Sequence, residues 1–159
     1  MRSLLFTPAD DERKLMRALA SGADGVVADL EDAVAPAARD AARATLARIY
    51  GSGGSRTALL VRINELGTRD AARDVELVRG LGLDAVVIPK TTAASLGALP
   101  ADLPPAIPII ETAQGVLDCA DVARFAGVHA LMFGAIDLAA EINFPVAKGP
   151  VGTLARNGV

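Results

Sequence analysis

The sequence predicts an α/β protein of the parallel (β/α) TIM-barrel type, apparently truncated to about six of the eight βα units. Three observations carry this expectation. Apolar runs of about four to six residues recur along the chain, and such runs read as strands buried on both faces, which belong to parallel sheets. They alternate with helix-like stretches, and strand starts fall roughly every 20–30 residues, the spacing of βα units joined by right-handed crossovers. The runs also end abruptly at charged residues: 59–61 at Arg62, 107–110 at Glu111, 131–134 ahead of Asp137, and 25–28 at Asp29. In parallel α/β folds, polar groups at the carboxyl ends of strands line the ligand site.

The elements follow in order. Residues 3–7 form a first strand closed by Pro8, and Asp10 or Asp11 can cap a helix running to about residue 20, with Leu15, Ala18 and Leu19 facing inward. Gly22 ends that helix, and 25–30 is the second strand. Pro36 suits a first helical turn and opens a helix over 37–50, which stops at Gly51-Ser52-Gly53-Gly54. The third strand spans 56–63. A helix over 70–79 ends at Gly80 and Gly82, and 84–88 is the fourth strand, stopped by Pro89. A short helix near 92–99 and a proline-punctuated loop lead to the fifth strand at 107–110. A helix at 116–124 and a sixth strand at 128–133 follow.

Residues 1–142 thus read as an incomplete TIM barrel. Residues 143–159 hold Pro145, Gly149, Pro150, Gly152 and Gly158, show no sustained period, and read as an irregular tail. A complete barrel takes roughly 200–250 residues, so 159 residues leave its last quarter missing.

Composition narrows the function. Hydrophobic residues make up 52% and mean hydropathy is +0.37, yet no apolar stretch reaches the ~18–20 residues that span a bilayer. The net charge is −3, and the arginines are scattered. That pattern predicts neither a nucleic-acid partner nor a membrane one. A single cysteine, Cys119, excludes an intramolecular disulfide and a thiolate zinc site. The chain starts without a signal-peptide apolar segment, so a cytoplasmic location is expected. With no Trp, one Tyr and four Phe, a small polar or anionic ligand fits better than a stacked base or a sugar.

Glu111 and Asp137 are the foremost pair, since each follows a buried strand and the two strands are consecutive. Two oxygen ligands from adjacent strand ends, completed by water and substrate, is a common way to hold Mg²⁺. Alternatively each acid merely sits near a helix N-terminus. Arg62 follows four apolar residues and needs a partner; its planar fork suits a substrate carboxylate, or an internal ion pair with Glu31, Asp32 or Glu111. Asp29, Glu31 and Asp32 form an acidic cluster whose members cannot all be neutralised locally, so some should face a metal, its waters or Arg62, while at least one reads as part of a solvated loop. Lys90 reads as an anion contact or, more simply, a surface lysine. His129 lies within a predicted strand and reads as a packed core or rim residue rather than a base, and Cys119 reads as buried. One histidine excludes a Ser-His-Asp triad.

Six segments occur here in a familiar order: Arg2-Ser3-Leu4-Leu5-Phe6-Thr7-Pro8, Asp29-Leu30-Glu31-Asp32-Ala33-Val34, Val61-Arg62-Ile63-Asn64, Val87-Ile88-Pro89-Lys90, Ile110-Glu111-Thr112-Ala113 and Phe133-Gly134-Ala135-Ile136-Asp137-Leu138. Over residues 1 to about 141 the chain resembles the citrate lyase β-subunit-like proteins of the HpcH/HpaI aldolase superfamily. The resemblance implies a Mg²⁺-dependent TIM barrel that cleaves or forms a carbon–carbon bond between a 2-oxo acid and an acyl-CoA thioester, with citryl-CoA, malyl-CoA and methylmalyl-CoA as family substrates. It implies Glu111 and Asp137 as metal ligands, and Arg62 with Glu111 as substrate contacts. Arg62, Glu31 and Asp32 become the catalytic residues, with Asp29, Glu31 and Asp32 around metal-bound water. A homo-oligomer, a trimer or another multiple, is also implied. Family members run longer, and in some a C-terminal segment from a neighbouring subunit supplies an acidic residue that 143–159 does not match. A non-catalytic fragment that keeps metal and carboxylate binding, or an aldolase acting on free hydroxy acids, is the alternative.

Overall fold

Alternate residues of each strand enter two different cores. Val26, Ala28, Val61, Val86, Ile88 and Ile110 join a large cluster with the helix residues Leu15, Leu46, Val78 and Val122. Val27, Leu60, Val87, Ile107 and Ile109 form a smaller cluster on the opposite face. Burial on both faces is why these strands are unbroken apolar runs, and each fully buried aliphatic side chain contributes about 1.5–3 kcal/mol.

The computed structural model describes residues 1–51 and 57–143. The glycine-rich stop at 52–54 and nearly all of the expected tail, 144–159, lie outside the described residues. Six parallel strands, β1 (Leu4–Pro8), β2 (Gly25–Asp29), β3 (Ala58–Arg62), β4 (Ala85–Ile88), β5 (Ala106–Ile110) and β6 (Met132–Phe133), neighbour one another in chain order. They make a curled half-barrel with alternating helices. The helices are α1 (Glu12–Leu19), α2 (Arg39–Tyr50), α3 (Arg69–Arg79), α4 (Ala93–Leu96), α5 (Ala113–Arg124) and α6 (Ala135–Glu141). Asp11, Thr68, Thr92 and Thr112 cap α1, α3, α4 and α5 with side-chain oxygens, each cap being worth about 1 kcal/mol. Proline-led α2 is entered through a short 3-10 turn at Pro36–Ala38.

Helix α6 has no counterpart among the elements expected from the sequence, and α4 is shorter than the expected 92–99; two further elements depart from expectation. Helix α5 begins a turn before residue 116, because Thr112 accepts from Gly115 N–H at 3.0 Å. Strand β6 shrinks to two residues. Between the Ala106–Val128 bridge and the Ile109–Met132 pair, β5 advances from 106 to 109 while the neighbouring chain advances from 128 to 132. The extra residue arises opposite Pro108. Ala106 and Ile110 turn their backbone groups toward β6, so Pro108 does too, and it has no N–H to give. His129 consequently lies outside the strand and is exposed, not packed. Cys119 is half-buried against the helix-side core, where full burial was expected.

Candidate functional site

The strand alternation that builds the smaller core also builds the site. Val27, Leu60 and Ile109 face away from the helices; two positions on, at the carboxyl ends, stand Asp29, Arg62 and Glu111. All three therefore project to one side at one end of the sheet.

Arg62 sits opposite Asp29 in the β2–β3 register. Its Nε donates to Asp29 Oδ1 at 2.7 Å and its Nη2 to Oδ2 at 2.6 Å, a two-pronged pairing. Nη1 faces Glu31 Oε2 at 3.1 Å and Asp32 Oδ2 at 3.4 Å. The guanidinium also lies 5.5 Å from the centre of the Phe6 ring on β1. Burial opposes the arginine's charge, but the Asp29 hydrogen bonds and the Glu31 and Asp32 charges outweigh it and raise its pKa. Of the three ion-pair partners the sequence offered, Glu31 and Asp32 take part and Glu111 does not; the main partner is Asp29.

Asp29 holds its own loop as well. Its carboxylate accepts from Glu31 N–H at 2.9 Å and Ala33 N–H at 3.1 Å. Glu31 is buried and pairs with the Lys90 ammonium. Burial pushes the Glu31 carboxyl up, with Lys90 and Arg62 working against that rise.

Lys90 is no surface lysine. It is half-buried just past β4, with a left-handed backbone at φ 47° that lets its N–H reach Glu111 Oε1 at 2.7 Å while its Nζ reaches Glu31. One residue thus ties β2, β4 and β5 together. Its place directly after Ile88-Pro89, at a strand top, was the available signal. Phe6, Asn64 and Gly134 were likewise not singled out as site residues.

Glu111 is buried and packs against Gly134, the residue between β6 and α6. A Cβ there would stand 2.5 Å from Glu111 Cβ and 2.5 Å from its Oε2, so only glycine leaves room for this carboxyl. Glu111 does not cap α5, since Thr112 does. Asp137 lies half-buried in the first turn of α6, beside Glu111. Burial, then the neighbouring Asp137 and Glu31 charges, push the Glu111 carboxyl up to about 7, although the Lys90 N–H bond lowers it.

Among the described residues Glu111 accepts from the Lys90 backbone N–H and feels the Lys90 ammonium, whose direct ion pair is with Glu31, and no cluster of three or more His, Cys, Asp or Glu is arranged to hold a metal. Two converging carboxylates fit a hard divalent ion that takes one or two protein oxygens and keeps its waters. They do not fit a zinc site, which needs more protein ligands.

Comparisons with known proteins follow this geometry. A sequence model of the HpcH/HpaI aldolase/citrate lyase family matches residues 2–97. The chain is 37% identical over 149 residues to a (3S)-malyl-CoA thioesterase of Cereibacter sphaeroides, covering 89% of this chain and 51% of that protein. A citrate lyase beta subunit from M. tuberculosis, complexed with oxaloacetate and magnesium, superposes with a TM-score of 0.82 at 34% identity, covering 96% of this chain and 69% of that one. A second structure, of the protein CitE from the same organism with magnesium, acetoacetate and coenzyme A, gives 0.78 at 35% identity, with 94% and 54% covered. The chain spans about half the length of the curated relatives it matches.

Proposed function

The chain belongs to the HpcH/HpaI aldolase/citrate lyase family, and from that premise we propose that it is a Mg²⁺-dependent carbon–carbon lyase. Its substrate is a 3-hydroxyacyl-CoA such as citryl-CoA or malyl-CoA, and its products are a 2-oxo acid and an acyl thioester. The observation that carries this reading is the convergence of Glu111 and Asp137 on the same rim as a half-buried, acid-braced Arg62. The magnesium, oxaloacetate and coenzyme A in the similar structures support it.

Glu111 and Asp137 hold the cation, which when bound draws electron density from an oxygen of the 2-oxo acid and eases the charge that develops there. Arg62 receives the substrate carboxylate. Asp29 already occupies Nε and Nη2, so the incoming carboxylate meets the Nη1 side and displaces the exposed Asp32 rather than the buried Asp29. In the cleavage direction the hydroxyl proton passes to a carboxylate, the C2–C3 bond breaks, and its electron pair goes to the carbon beside the thioester carbonyl, which then takes up a proton to give the acyl thioester. The hydroxyl carbon becomes the keto carbon of the 2-oxo acid. Glu31 and Asp32 are the acids offered for that proton. Glu31 Oε2 is buried 3.1 Å from Arg62 Nη1 and its other oxygen pairs with Lys90, so the two cations hold this carboxylate at the site.

Incubation with citryl-CoA and malyl-CoA, in Mg²⁺ and in EDTA, tests the proposal. Release of 2-oxo acid in Mg²⁺ alone is the expected result. Turnover indifferent to EDTA overturns the metal role, and release of free CoA without 2-oxo acid reassigns the chain to thioester hydrolysis. Reaction of free hydroxy acids, with no competition by CoA, would make it an aldolase of another substrate class. A second reading is binding of Mg²⁺ and a carboxylate without turnover, which the converging Glu111 and Asp137 and the acid-braced Arg62 would support by themselves. Calorimetric binding of Mg²⁺ and oxaloacetate with no product in the assay would support it.

A further inference from the structure

We propose that Asn64 is a positioning residue that sets the pose of the Arg62 guanidinium, and that Asp74 and Arg43 hold Asn64 in place. The inference rests on the reading of Arg62 as the substrate-carboxylate contact. The β2–β3 pairing continues one step past the strands, where Leu30 N–H donates to Arg62 O at 3.0 Å. Beyond it the β3 backbone turns to the other neighbour, and Ile63 N–H donates to Val87 O at 3.1 Å. The Asn64 side chain takes over the bond to β2, its Nδ2 donating to Leu30 O at 3.1 Å. That carbonyl belongs to the residue between Asp29 and Glu31, the two buried acids that grip Arg62.

Asn64 has no freedom to swing. Its backbone N–H and its Nδ2 both donate to Asp74 Oδ2, at 2.8 and 2.7 Å. Asp74, on α3, is wholly buried, and its other oxygen accepts from Arg43 Nε on α2 at 2.7 Å. Arg43 extends to Asp70 at 2.8 Å and Asp40 at 2.6 Å. A carboxylate buried this completely is retained only when its lone pairs are met. Had Asp74 served merely to join two helices, the Arg43 pairing would suffice; instead one of its oxygens serves Asn64 alone. The network runs from the helix layer to the strand tops and reaches no farther than the loop that braces Arg62.

A double-mutant cycle on oxaloacetate binding, measured by calorimetry in Mg²⁺, tests the inference. Asn64→Ala should weaken oxaloacetate about tenfold, the loss expected for one buried hydrogen-bond pair, with Mg²⁺ affinity unchanged within about twofold. In an Arg62→Lys background, Asn64→Ala should have no further effect. Equal losses in both backgrounds, or wild-type affinity in Asn64→Ala, overturn the inference. The NMR resonance of Arg62 Nε–H, which reports its bond to Asp29, needs no ligand: Asn64→Ala should move it toward that of a free arginine, and an unmoved signal counts against the positioning role. Should Asn64→Ala lose its cooperative unfolding, Arg43→Lys replaces it in both measurements with the same outcomes. A wild-type chain that binds no oxaloacetate contradicts the reading of Arg62 itself, while the resonance still decides the case for Asn64.

Discussion

Arg62 and Glu111 illustrate opposite ways of burying a charge. Arg62 is met by Asp29 on two prongs and by Glu31 and Asp32 on the third. Removing one partner of such a buried pair costs about 3–5 kcal/mol, because the other is left uncompensated. Glu111 instead faces another carboxylate, and its carboxyl is pushed from the ordinary 4.5 to about 7 by burial first and by Asp137 next. For a carboxyl raised in this way, the folded state binds protons more tightly than the unfolded one. Its contribution to stability is present below about 4.5 and is lost as pH rises through about 7. The metal-free protein should therefore lose unfolding temperature across that window, while Mg²⁺ affinity should climb over the same range as the proton leaves. Thermal melts and calorimetric titrations at stepped pH check both slopes. A metal-free melting temperature that rises from pH 5 to 7, in parallel for wild type and Glu111→Gln, contradicts the assignment.

At the scale of elements, the junction of β6 and α6 is the tightest fit in the site. Among the described glycines, Gly134 is the one where an added methyl would strike the Glu111 carboxyl at 2.5 Å. Gly134→Ala should weaken Mg²⁺ binding at least tenfold, by displacing that carboxyl, while circular dichroism stays that of the wild type. Unchanged Mg²⁺ affinity would show that Glu111 has room to spare. The same junction shows what the sequence discloses and what it does not. The placement of Asp29, Arg62 and Glu111 at strand tops was legible because the end of an apolar run is a local property, whereas their projection to one side was not, since runs buried on both faces show no alternation. The shortening of β6 was not, since it arises from a proline on the neighbouring strand. The early start of α5 was legible in principle, for Thr112 is a good capping residue; Glu111 beside it drew the expectation instead. Lys90 hid its role because an ion pair to Glu31 spans 59 positions, and no local pattern reports a contact of that range.

For the whole molecule, chain order and sheet order coincide: six parallel strands, each beside its sequence neighbour. This topology brings strand tops that are distant in the chain to a common rim, so a site assembled from residues 29 to 137 follows from the fold itself. Among the described residues β1 and β6 each have one neighbour in the sheet, and Leu5 and Phe6 on β1 are partly exposed. The rim's central feature is the convergence of the Glu111 and Asp137 carboxyls, and titration of the protein with Mg²⁺ tests it most directly. Wild type should bind one ion per chain, and Glu111→Gln and Asp137→Asn should each abolish binding while unfolding as cooperatively as wild type. Mg²⁺ binding that survives both substitutions would contradict the account.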